Sequence, residues 1–65
     1  MIKVKDSRLR YNKVLIVHEP SGHRIFEGDI KDCPEWALEY YVVEKFTNRY
    51  IQRVYLGVNE HETYV

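Results

Sequence analysis

Sixty-five residues allow one domain, 1–65, and no more. The ten Lys and Arg balance the ten Asp and Glu, so no overall positive field marks a nucleic-acid binder. Cys33 is the only cysteine, which excludes an intrachain disulfide framework and suits a reducing compartment better than a secreted one.

The chain opens with MIKVKDSRLRYNK. Lys3, Lys5, Arg8, Arg10 and Lys13 stand here against the single acid Asp6. The segment has no apolar core and no small-residue cleavage site, so no secretory leader is expected. The longest apolar run, Val14 to Val17, is far shorter than the roughly 20 residues of a membrane helix. A soluble cytoplasmic protein without a membrane partner is the expectation.

Lys13-Val-Leu-Ile-Val-His-Glu19 is rich in β-branched residues and is followed by Pro20-Ser21-Gly22 and then His23-Arg-Ile-Phe-Glu27. Proline presets φ for the first turn position, and Gly22 supplies a left-handed one, which predicts a hairpin with a three-residue loop. The implied register sets Glu19 opposite His23, His18 opposite Arg24, Val17 opposite Ile25 and Ile16 opposite Phe26. One face then carries Val14, Ile16 and Phe26, the other Leu15, Val17 and Ile25. A single short helix covers only one of them, leaving the other for chain termini, further strands or another subunit.

Asp32-Cys-Pro-Glu35 reads as a helix start, with Asp32 as N-cap, Pro34 in the first turn and Glu35 three residues past the cap. Asp29, Asp32 and Glu35 then gather where the helix dipole favours negative charge. Tyr40 to Val43 favours strand, which predicts a helix over 34–39, a strand over 41–47, a turn at Asn48-Arg49 and a strand over 50–58. The competing reading runs the helix on to about Asn48. Residues 59–65 are polar and read as a frayed tail. The fold predicted is α+β, an antiparallel sheet of three or four strands with one short helix in the order ββαββ, the alternative being ββαβ with a longer helix.

The run Ser21-Gly-His-Arg-Ile-Phe-Glu-Gly28, then Asp32-Cys-Pro34, Leu38 and Val42-Val43, resembles small uncharacterised proteins of phages and prophages of low-GC Gram-positive bacteria. The likeness spans about the middle third of the chain and carries no catalytic motif. It implies a small accessory protein that works by binding.

No chemistry-bearing constellation survives inspection. His18, His23, Cys33 and His61 lack the Cys-x-x-Cys or His-x-His spacing of a metal site, and the predicted register points His18 and His23 to opposite faces. Cys33 with His23 and Asp29 or Asp32 names the parts of a cysteine triad, but nothing fixes their geometry, and a small domain has little room for a water-excluding cleft. No metal, no cofactor and no enzymatic activity are expected. Six tyrosines, two phenylalanines and one tryptophan instead favour contact surfaces. The leading expectation is a protein-binding or self-associating module, with a homodimer as one form, using Tyr40, Tyr41, Tyr50 and Tyr55. Trp36 is expected in the core. The alternative is a single-stranded nucleic-acid binder using Lys3, Lys5, Arg8, Arg10, Tyr11, Arg49 and Arg53, with tyrosines stacking on bases.

Overall fold

A computed structural model describes residues 1–62. Four strands form one sheet: β1 (Lys13–His18), β2 (His23–Asp29), β3 (Tyr41–Asn48) and β4 (Arg53–Asn59), in the spatial order β2-β1-β4-β3. A four-residue helix, α1 (Glu35–Leu38), lies between β2 and β3, and two 3-10 turns occupy Val4–Asp6 and Ile30–Asp32. The α+β class and the ββαββ order therefore hold, and the helix stops long before Asn48. The sheet is mixed, however, not antiparallel. The central pair β1–β4 is parallel, while β1–β2 and β3–β4 are antiparallel hairpins. The 30–40 segment carries the chain from one edge of the sheet to the other, so β4 returns into the middle beside β1.

The first hairpin turns where Pro20-Ser21-Gly22 stands, and Gly22 takes φ +75°. The loop is one residue longer than the sequence suggests. His18 pairs with His23, and the Gly22 N–H donates to the His18 carbonyl at 2.7 Å. A β-bulge between Ile16 and Val17 absorbs the difference, because Val17 faces Arg24 and Ile16 still faces Phe26. The extra residue is Ile25. It moves to the Val14–Ile16 face and packs on the core instead of lying beside Leu15 and Val17.

The helix start also differs. Pro34 occupies the cap position with no side-chain hydrogen bond, and Asp32 closes a 3-10 turn instead. Asp29 does the capping there, its Oδ1 accepting the Lys31 N–H at 3.0 Å. With one turn of helix, only the Ala37 side is buried, and Trp36 faces outward at 57% exposure. It packs edge-on against Tyr40, with ring centroids 6.0 Å apart.

The core lies on one side of the sheet. Val14, Ile16, Val54, Leu56 and Val58 point into it, and Ala37, Cys33 and Val4 close it. Leu9, Tyr11, Leu38 and Tyr40 pack around them. The basic N-terminal stretch is thus a structural lid, because it carries apolar residues at the right intervals. Residues 2–4 also pair with the start of β3: Val42 N–H donates to the Ile2 carbonyl and Val4 N–H to the Tyr40 carbonyl. At the end, Asn59 still belongs to β4, and Glu60 and Glu62 reach His18 Nε2 and the N-terminal ammonium. Residues 63–65 of the expected tail lie outside the described residues.

Candidate functional site

Strand alternation sends the remaining residues to the other face of the sheet. Pairing register arranges them in cross-strand rows. Glu27, Leu15, Tyr55 and Phe46 form one row across all four strands, and Arg24, Val17, Gly57 and Glu44 form the next. No secondary-structure element of the described residues packs over these rows. Phe46 is 61% exposed, Val43 is exposed at the β3 bulge, and Leu15, Val17 and Tyr55 are half-buried. The face therefore has an apolar centre with charged ends.

Its polar groups are tied to one another. Arg53 Nη1 donates to Glu27 Oε2 at 2.6 Å, and Arg24 Nη1 donates to Glu27 Oε1 at 3.2 Å. Glu19, just past β1, lays its side chain over Gly57, where a Cβ would stand 2.7 Å from the Glu19 Cδ. The carboxylate of Glu19 accepts the Tyr55 hydroxyl at 2.7 Å. That bond to an anion pushes the Tyr55 phenol up to about 12, so the ring stays neutral and its hydroxyl stays a donor.

The four tyrosines named from sequence do not converge. Tyr40 packs against the core between Trp36 and His18, Tyr41 lies under the Lys3 ammonium at 5.7 Å, and Tyr50 projects from the β3–β4 turn at 99% exposure. Only Tyr55 belongs to the apolar row. Of its neighbours there, Leu15 was expected on an uncovered hairpin face, and Phe46 was not singled out by sequence. Alternation in β1 and β4 signals such a face, but the partner of Tyr55 on β3 depends on a second bulge, between Val42 and Glu44.

The basic residues divide likewise. Lys3 and Lys5 both grip Glu39, at 2.9 and 2.8 Å. Arg8 lies on the N-terminal lid, where its carbonyl accepts the Lys45 ammonium at 3.0 Å. Arg53 lies on the opposite, open face. The two lysines, Lys5 foremost, hold the Glu39 carboxyl down to about 2, and Glu39 in turn raises the Lys3 ammonium. Because the folded value lies below the ordinary 4.5, the carboxylate supports the fold fully above that pH. Its support fades as the pH falls from there towards 2. A carboxyl-detected NMR titration should place the Glu39 midpoint near 2, and Glu39→Gln should flatten the stability profile between those two pH values. A midpoint near 4.5 would show that the clamp does not form.

The residues named for possible chemistry are separated. His23 opens β2 and Asp29 ends it, roughly 20 Å away at about 3.3 Å per strand residue. Both cannot serve Cys33. The Cys33 thiol is buried, which pushes its pKa up, and it points at the Pro34 carbonyl. His18 and His23 share a face, contrary to the register read from sequence. His18 bonds Ser21 Oγ through Nδ1 and Glu60 through Nε2. Among the described residues no three His, Cys, Asp or Glu side chains gather to hold a metal ion. Among the described residues no helix is long and apolar enough to cross a membrane. Comparison with known proteins finds no matching family model, no matching curated protein and no matching solved structure.

Proposed function

We propose that this protein is a non-catalytic, self-associating binding module, and that the open sheet face docks a second copy. A small accessory role of the phage type is compatible with such a module. The observation that carries the proposal is the row Leu15–Tyr55–Phe46, apolar and, among the described residues, covered by no helix or strand, on a sheet whose other side holds their buried core. Domains this small commonly complete an undersized core by oligomerising.

Face-to-face docking is favoured over edge pairing. Both edge strands carry a β-bulge, and residues 2–4 already cover the start of β3. Such features discourage strand addition. The charges support a two-fold arrangement. Arg24 and Glu44 sit at the same level on opposite edges, through the register Arg24–Val17–Gly57–Glu44. A two-fold axis parallel to the strands sets the Arg24 of each copy against the Glu44 of the other. Lys13 then approaches the partner's Arg53, whose charge is already met by Glu27.

Light scattering should give a particle of twice 7.9 kDa, with a melting temperature that rises with protein concentration. Phe46→Glu should return it to 7.9 kDa without unfolding it, since the ring is mostly exposed. Arg24→Glu should weaken the dimer, and Arg24→Glu combined with Glu44→Arg should restore it. A single-copy particle at every concentration, or a dimer indifferent to Phe46→Glu, rejects the proposal.

A further inference from the structure

At the turn end of the sheet, the start of β1, the end of β2 and the β3–β4 turn enclose an open depression of about 350 Å³. Tyr11, Asn12, Lys13, Asp29, Ile51 and Gln52 line it. The two basic, tyrosine-bearing stretches of the sequence, which lie on opposite faces elsewhere, meet here. We propose that this depression binds a ribonucleotide unit, either free or within single-stranded RNA.

Charge is the first argument. Although the chain is neutral overall, its charges separate along the strands. Lys13 and Arg53 are register neighbours at this end, Arg53 held by Glu27 and Lys13 without an ion pair among the described residues, with Arg10 and Arg49 on the adjoining segments. Glu19, Glu44, Glu60 and Glu62 lie towards the far end. A phosphate therefore finds an unpaired cation in Lys13, with the Asp29 carboxylate in the same lining as the opposing charge.

The lining supplies the second argument. The Tyr11 ring and the Ile51 side chain offer apolar surface to a base, and the carboxamides of Asn12 and Gln52 offer paired donors and acceptors to its edge. Lys13 serves the phosphate. Asp29 spends Oδ1 on the Lys31 N–H, while its Oδ2 has no hydrogen-bond partner among the described residues and can accept a ribose 2′-hydroxyl. The backbone adds a third argument. Gln52 holds φ +52°, a left-handed conformation that disfavours side chains other than glycine. Asn48 Oδ1 braces the turn by accepting the Tyr50 and Ile51 N–H groups at 3.0 and 3.2 Å. A glycine would adopt that conformation without strain, whereas glutamine brings a carboxamide to the rim.

The test is an amide NMR titration of the full chain with adenosine monophosphate, a hexa-adenylate RNA and the matching DNA, at low and moderate salt. The expected result is saturable shifts confined to 11–13, 29 and 51–53, with RNA bound roughly tenfold tighter than DNA through the 2′-hydroxyl. If adenosine monophosphate reproduces the shifts at equal affinity, the ligand is the free nucleotide. If the hexamer binds much tighter, it is the strand. Lys13→Gln should lower the log–log salt slope by about 0.7, and Tyr11→Leu should weaken binding about tenfold. Unchanged thermal melts would show that both variants fold, and Ile51→Ala, at an exposed lining position, gives a second reading of the apolar contact if Tyr11→Leu does not. Phe46→Glu should leave this binding intact, which separates the proposal from self-association. No shifts with any of the three ligands, shifts centred on Leu15, Phe46 and Tyr55, or variants that all bind like the parent would overturn it.

Discussion

Leu56→Ala should lower the melting midpoint by roughly 10 °C or more. Leu56 sits on an inner strand, wholly buried, where β4 faces both β1 and β3. Removing such a side chain costs about 2–5 kcal/mol, through lost transfer energy and the cavity left behind. A domain of this length has roughly 3–10 kcal/mol of stability in total. Circular dichroism during a thermal melt measures the outcome. A midpoint within a few degrees of the parent would mean that the core collapses around the gap, or that the sheet is not held from this side.

The second large effect is expected far from the sheet in sequence. Val4→Asp should detach the N-terminal lid and destabilise the protein by several kcal/mol. Val4 is 2% exposed within the core cluster, and no cation reaches it there. An unpaired carboxylate at such a position is costly enough that it either takes up a proton or drags its segment into water. Hydrogen exchange reports the second outcome directly. The Val4 and Val42 amides, which bond to the Tyr40 and Ile2 carbonyls, should lose protection together. Val4→Ile, which keeps an apolar side chain, should retain it. If Val4→Asp exchanges like the parent, residues 1–6 do not hold the core shut.

These two residues mark what sequence can and cannot disclose. Leu56 and its neighbours alternate, so a last strand was legible, but it begins at Arg53 and not at residue 50, because residues 49–52 form the turn expected at Asn48-Arg49. Also legible were the Pro20–Gly22 turn, whose glycine takes the predicted left-handed conformation, and the short helix after Pro34. Val4 was hidden because charge dominates its surroundings. Only the spacing of Val4, Leu9 and Tyr11 shows that the strip has an apolar side. The bulge at Ile25 was illegible for another reason. One extra residue in a strand changes no propensity, and its place is set by which side of the sheet needs another apolar group. The parallel pairing of β1 with β4 lies in no local pattern, since periodicity says which face a residue takes but not which strand lies beside it. The open face followed the same division. That one hairpin face would lack a cover was readable from Leu15 and Val17. That Phe46 joins them required knowing the register across the second bulge.

The parallel seam has a kinetic consequence. Lys13 lies beside Arg53, forty positions apart in the chain (53 − 13), and every contact along the seam has the same separation. Each hairpin can close on its own in microseconds, but joining them must wait until the intervening loop has lost its freedom. Refolding should therefore be limited by the meeting of two preformed halves. Val14, Ile16, Val54 and Leu56, which knit that seam, should set the folding rate, while substitutions in either turn act chiefly on unfolding.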